Sequence, residues 1–196
     1  QSGAALEAAV RRDMNSAMAK EMDREAFLGE GAGSAQPLGV IEGASTYSIT
    51  ETAVGAQASW AAFRARITQF MVANAISSPS DVRLLIRPEI YDSMDDTLLI
   101  GTAVSEFDRL ARHIGEGNVA MSSNALTAPV GGESSALLTT STNGVPPMFV
   151  ATWGAVDMIR DPFTRAASGQ LVLTALATMD VTVARPVQLE VLTGLQ

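Results

Sequence analysis

Apolar positions at the start of the chain recur every four residues: Leu6, Val10, Met14, Met18 and Met22. On a helix that spacing lays them along one slowly drifting stripe. With frequent Ala and no Pro before residue 37, it predicts a helix over residues 4–28, about 37 Å long at about 1.5 Å per residue. Gly29, directly after Leu28, is the stop signal, and the Met stripe reads as ordinary packing. A second helical pattern, Trp60, Phe63, Ile67, Phe70, Met71 and Asn74, predicts a helix over about 59–75 with that stripe in the core. Ser59 is its expected N-cap, and Ser77-Ser78-Pro79-Ser80 breaks it. Residues 29–59 are rich in Gly, Ser, Ala and Thr. They open with the turn cluster Gly29-Glu30-Gly31-Ala32-Gly33-Ser34 and hold one short strand candidate, Tyr47-Ser48-Ile49-Thr50.

The middle of the chain alternates short elements. Val82-Arg83-Leu84-Leu85-Ile86 reads as a strand that ends at Arg87-Pro88, where Pro88 can open a helix at its first turn. Residues 89–99 and 105–114 read as two short helices, with Ser105 capping the second. After residue 117 the pattern turns to β, with turn signals at Gly131-Gly132 and Asn143-Gly144. The strands expected there are Ala136–Thr140, Met148–Thr152, Gly154–Arg160, Leu171–Val183 and, beyond Pro186, Val187–Leu192. Helix, loop, mixed α/β and then β is the order of an α+β fold with an antiparallel sheet. Phe163 and Leu173 are expected in its core, and the Gly-rich segments 29–45 and 131–144 are expected to be mobile or contact-forming.

Composition narrows the function. At 196 residues the chain suits one large domain or two small subdomains. Hydrophobic residues make up 47%, enough for a core, while charged residues are 17%, below the usual quarter or so. Such a surface is covered by neighbours or by small polar residues. The net charge is −8, Lys20 is the one lysine, and cations cluster only at Arg11-Arg12 and Arg64/Arg66. Phosphate neutralisation needs a basic patch, so the sequence is not that of a typical nucleic-acid reader, short of a patch assembled by folding. Without cysteine there is no disulfide or cysteine–zinc site, and a lone His113 excludes a multi-histidine metal site. There is no run of 18 apolar residues for a membrane span, and no signal peptide is visible in this sequence. The chain starts without Met, inside a helical pattern, so we expect its start to follow a cleavage or an engineered boundary.

Three groups could carry chemistry, and for each a plainer reading weighs more. The glycines at 29–33 resemble a phosphate loop, but a helix precedes them where a strand is needed and Glu30 sits inside. His113 could be a general base, yet no GxSxG elbow marks a nucleophile, and a histidine near a helix C-terminus is favoured by the dipole alone. Glu89, Asp92, Asp95 and Asp96, three and four apart, could hold a divalent ion; acids in a helix's first turns also stabilise it directly. Asp180, between Met179 and Val181, either faces outward or joins a subunit contact. No catalytic, cofactor or metal residue is assigned, and we expect no enzyme, but a structural or binding role.

Several segments in order resemble the major capsid protein family of tailed bacteriophages, which has the Hong Kong 97 fold. Glu25-Ala26-Phe27-Leu28-Gly29-Glu30-Gly31-Ala32-Gly33 with Gln36-Pro37-Leu38-Gly39-Val40 is similar to the end of the family's spine helix and its "GDG…PxGI" loop, with Glu30 where Asp is common. Trp60–Met94 resembles the next segment, a helix, a strand closing on Leu84-Leu85-Ile86-Arg87-Pro88, and a helix. Trp153-Gly154-Ala155-Val156-Asp157-Met158-Ile159-Arg160-Asp161-Pro162-Phe163 resembles the family's strand into a "DP" turn. Met179-Asp180-Val181-Thr182-Val183-Ala184-Arg185-Pro186 resembles its closing strand, with Leu189 near where an aromatic is common.

The resemblance implies an α+β Hong Kong 97-type fold with a long spine helix, a long antiparallel sheet and a mixed α/β axial subdomain. A peripheral subdomain would be formed by residues 1–45 and 145–196, and the axial one by residues 46–144. The family's N-terminal arm and extended loop would precede this chain. Lys20 lies on the helix rather than on such a loop, so covalent cross-linking is not carried over. The implied function is that of a phage head subunit, a structural protein that self-assembles into a shell enclosing DNA without sequence-specific binding, with no cofactor and no membrane. Its partners would be copies of itself in pentamers and hexamers, with portal, scaffold or maturation protease besides. The place would be the virion capsid, assembled in the bacterial cytoplasm. The competing readings are a cellular compartment shell (encapsulin-like) on the same fold, a small hydrolase using His113, and a monomeric binding module whose face is the Gly/Ser-rich loop.

Overall fold

The computed structural model describes residues 2–141 and 144–196, without the side chains of residues 2–7, Ala155 and Ala166. In chain order the elements are α1 (Ser2–Leu28), β1 (Thr50–Ala56), α2 (Trp60–Val72), β2 (Val82–Ile86), α3 (Pro88–Asp96), α4 (Glu106–Ile114), β3 (Val119–Met121), β4 (Ser134–Thr140), β5 (Met148–Asp161), β6 (Val172–Val183) and β7 (Leu189–Leu195), with short 3-10 turns between several of them. They form a five-stranded sheet in the order β1-β7-β4-β2-β3 and a separate β5-β6 ribbon.

The five-stranded sheet is mixed rather than antiparallel throughout. β1 runs parallel to β7, and β3 parallel to β2, around the antiparallel pairs β7-β4 and β4-β2. Sequence pattern did not announce the two edge strands, β1 and β3. The C-terminal strand β7 lies inside this sheet, so residues 189–195 share it with residues 50–140.

Alternation along the strands buries both faces of the sheet. Val82, Leu84, Ile86, Ala136, Leu138 and Leu192 face the helices, where Trp60, Phe63, Ile67, Phe70, Ile90, Met94, Leu110 and Ile114 complete the larger core. Leu137, Leu189 and Val191 face the other way and meet Ala26, Val40, Ala44, Ile49 and Val181. A central strand buried on both faces is apolar without alternation, as in Leu189-Glu190-Val191-Leu192. Its one acid, Glu190, is buried and accepts from Thr52 Oγ1 at 2.8 Å, with Arg66 Nη1 3.6 Å away.

Local chemistry sets the helix ends. Ser105 and Asp108 form a reciprocal capping box at α4, and Pro88 occupies the first turn of α3. Ser59 stands at the N-cap of α2, but its side chain makes no capping bond. Instead Glu106, from α4, accepts from the Trp60 N–H at 2.8 Å, so one helix caps another. α2 stops at Val72 because Asn74 turns left-handed, with φ 55°. The stripe is therefore shorter than the pattern implied: Met71 is 36% exposed and Asn74 is a terminator. α3 likewise ends at Asp96 rather than 99. Thr97 leaves helical geometry there, and residues 98–105 close a small hairpin with Leu99 N–H donating to Val104 O at 2.9 Å.

The strand expected at Tyr47–Thr50 begins only at Thr50. Ser48 has φ 59°, which breaks extended backbone, and the Tyr47 hydroxyl is drawn inward, donating to Leu38 O at 2.8 Å with Val181 O 3.0 Å away. Met148–Thr152 and Gly154–Arg160 are one strand, β5. β7 starts at Leu189 because Pro186–Gln188 makes a 3-10 turn. Gly131 and Gly132, with φ 64° and 86°, make the two-residue hairpin between Val130 and Glu133. Asn143 lies outside the described residues.

The Gly-rich loop after α1 is tightly packed. Gly39 N–H donates to Gly29 O at 2.8 Å and Val40 N–H to Ala26 O at 3.1 Å, and Val40 and Ala44 are fully buried. Phe163, expected in the core, is 85% exposed. It sits in the β5-β6 turn, and Leu173 is half-buried.

Candidate interaction surface

The β5-β6 ribbon is the feature that packing within the chain leaves unfinished. Its pairing runs from Met148↔Val183 to Asp161↔Val172, interrupted between Trp153 and Asp157, where β5 carries two extra residues and Gly154 takes φ 74°. Two extra residues preserve the period of two, so side chains keep their faces along the whole ribbon. One face, with Met179, Val181, Val183 and Met148, lies against the end of α1 and the loop that follows it. Met14, Met18 and Met22 of α1 are half-buried while the other residues from 8 to 23 are exposed, which makes the methionines its inward edge.

The opposite face carries Phe149, Trp153, Asp157 and Ile159 from β5, and Leu176, Thr178, Asp180 and Thr182 from β6. A half-covered sheet normally alternates to polar residues on its wet side. Here Phe149, Trp153, Ile159 and Leu176 are 47%, 56%, 51% and 53% exposed, with Phe163 at the tip. A contiguous apolar patch with a polar rim marks an interaction surface. Asp180 lies on this face, exposed, its Oδ1 accepting from Val181 N–H at 2.8 Å. At the tip, Asp161 accepts from the Thr164 hydroxyl and from the Phe163 and Thr164 N–H groups. These bonds hold its carboxyl below the usual range, so Asp161 stays ionised, in a turn that also carries exposed Arg165.

On the inner side, Phe27, Leu85, Leu137 and Met148 line an open apolar groove of about 470 Å³, with Arg83 and Asn118 among its lining residues. Glu25, nine-tenths buried, lies in the last turn of α1. Arg24 pairs with both Glu21 and Glu25, and the second Glu25 oxygen has no hydrogen-bond partner among the described residues. Burial pushes the Glu25 carboxyl above its ordinary value, against the pull of Arg24. A raised folded-state pKa means that the folded protein binds more protons than the unfolded one between the ordinary value near 4.5 and the raised one. Stability therefore falls as pH rises through that window. Glu25→Gln is expected to raise the unfolding midpoint in urea at pH 7 and to lose that advantage at pH 4. An equal effect at both values would remove burial of the charge as its cause.

The residues singled out for chemistry lie apart from one another. His113 is exposed and stacks on Trp60, centroids 4.5 Å apart and planes within 8°. Glu89 turns back to Arg87 at 2.9 and 3.0 Å, which holds its carboxyl below the ordinary value. Asp95 accepts from Ser105 Oγ at 3.3 Å. Among the described residues no group of three or more His, Cys, Asp or Glu is placed to hold a metal ion. In the 29–33 cluster, Glu30 accepts from the Ser34 hydroxyl at 2.7 Å. Buried Arg87 donates to Ser123 O and Leu126 O at 3.0 and 2.8 Å and so pins the loop after β3. That structural role was not visible in the pattern Arg-Pro. No helix among the described residues is long and apolar enough to cross a membrane.

No family model matches the sequence, and no curated protein matches it at a significant level. Solved structures do. The capsid of the empty GTA particle is 13% identical with a TM-score of 0.68, over 97% of this chain and 65% of that one. The capsid of Myoviridae phage XM1 is 17% identical with a TM-score of 0.62, over 97% and 65%. A virus-like particle from Pyrococcus furiosus is 14% identical with a TM-score of 0.51, over 76% and 57%. The chain thus spans about two thirds of the length of the first two. Its fold is the α+β fold of tailed-phage capsid proteins, the Hong Kong 97 fold.

Proposed function

From the Hong Kong 97 capsid fold as premise, we propose that this chain is the shell-forming part of a phage-type major capsid protein, a structural subunit that acts by self-association. The observation that carries the reading is the uncovered apolar face of a long ribbon on a chain with a capsid fold. α1 and the ribbon belong to a peripheral subdomain, expected as residues 1–45 and 145–196, of which β7 (Leu189–Leu195) crosses into the axial sheet instead. Residues 46–144 form the axial subdomain, whose sheet β7 completes.

Each subunit makes several modest contacts with symmetry-related copies. Later contacts form at high effective concentration, so a shell closes cooperatively while a misplaced subunit can still leave. A net charge of −8 suits a wall that encloses DNA without gripping it. The virion capsid is the expected place, and portal, scaffold and maturation protease are the further partners. A cellular compartment shell on the same fold is the second reading. It is supported less, since the structures most like this chain include GTA and phage capsids.

Mass photometry with negative-stain microscopy on the full-length gene product tests the reading. Rings of five or six subunits, or closed shells, are expected; a strict monomer at high concentration overturns it. Portal and terminase genes nearby would mark a virion, a cargo enzyme gene a compartment.

A further inference from the structure

We propose, building on the self-association reading, that the outward face of the β5-β6 ribbon in one copy docks on the outward stripe of α2 in the next copy. Charge selects this occupant. The charged residues on the outward ribbon face are all acids, Asp157 and Asp180, with anionic Asp161 at its far end. Pairing the face with itself about a two-fold axis would set carboxylates against carboxylates, which complementary interfaces avoid. The partner surface must be apolar and basic.

On a chain of net charge −8 that combination is scarce. α1 and α4 each carry acids among their cations, and α3 carries acids alone. α2 has Arg64 and Arg66 and no acid from Trp60 to Val72. Arg66 is half-buried, 3.6 Å from Glu190. Arg64 is exposed and makes no ion pair among the described residues. At 100° per residue, Arg64, Thr68, Met71 and Val72 share one exposed flank of the helix, beside the buried stripe of Phe63, Ile67 and Phe70. Met71 and Val72 are 36% and 79% exposed. The two surfaces therefore match in kind: aromatic and aliphatic groups with acids on the ribbon, aliphatic groups with a guanidinium on α2.

They cannot meet within one chain. α2 packs on the sheet face that holds Leu84 and Leu138, while the base of the ribbon packs on the face that holds Leu137 and Leu189. Contact between two different patches is heterologous, and such contacts propagate into rings or shells.

The test is charge reversal in the full-length protein: Asp157→Arg, Arg64→Glu and the pair together, all at exposed sites, with unchanged far-UV circular dichroism as the folding check. Each single variant is expected to raise the concentration for half-assembly about tenfold or more, and the double variant to return it to within about threefold of wild type. Assembly of the wild type should also shift Trp153 emission to the blue as its ring leaves water, while buried Trp60 contributes a constant signal. Single variants that assemble like the wild type, or a double variant that does not recover, overturn the docking while the capsid reading stands. A wild type that never assembles overturns both.

Discussion

Gly39→Ala is expected to lower the unfolding free energy by about 3 kcal/mol, a large part of the roughly 5–15 kcal/mol that such folds possess. A Cβ built on Gly39 would lie 2.5 Å from Gly29 N and from Phe27 C and O. All three are backbone atoms of the last turn of α1 and its stop, so no side chain can swing aside to make room. Relief requires prying the loop from the helix end. That would break the bonds from Gly39 N–H to Gly29 O and from Val40 N–H to Ala26 O, and would draw the buried Val40 and Ala44 out of the second core. Gly33→Ala is the internal control, because a Cβ there meets nothing within 4 Å and should change stability by no more than about 0.5 kcal/mol. Urea denaturation followed by circular dichroism separates the two. Equal midpoints for both variants would show that the loop is not wedged against α1.

This loop also shows where sequence reasoning stops. The glycines are plain in the sequence as a turn cluster, yet the steric need at Gly29 and Gly43 comes from how the loop folds back: Gly29 would meet Pro37 O at 2.2 Å and Gly43 would meet Leu38 Cγ at 2.6 Å. Elements with strong local signals were legible, among them α1, the strand Val82–Ile86, the Pro88 helix start and the Ser105 cap, because period and capping chemistry are written within a few residues. β1 and β3 were not, because an edge strand owes its existence to the partner it pairs with, and Thr50–Ala56 is mostly exposed. β7 was legible as a strand but not as a member of the five-stranded sheet, since pairing across more than 100 residues leaves no local trace. The interaction face was legible only in part. The apolar residues of 148–183 were plain, but an alternation in which both faces are apolar reads as a core strand until the fold reveals that one face has no cover. The capsid fold itself was reached through motif resemblance, not through periodicity.

Two phenylalanines turn that last point into a measurement. Phe63→Ala is expected to cost about 3–5 kcal/mol, because Phe63 is fully buried under α3, α4 and the sheet and its ring would leave a cavity that close-packed neighbours fill only in part. Phe163→Ala, the same chemical change 100 residues later, is expected to alter stability by less than about 0.5 kcal/mol, since 85% of Phe163 already meets water. Local sequence does not fix burial at the two sites, for Phe163 was expected in the core although it stands between Asp161-Pro162 and Thr164-Arg165. Only the packing does. If Phe163→Ala destabilised the chain as Phe63→Ala does, the ribbon tip would be covered in the monomer, and the uncovered face on which self-association rests would not exist. If instead Phe163→Ala left the urea midpoint in place while raising the concentration needed for assembly, the apolar surface at the tip would belong to the contact between copies.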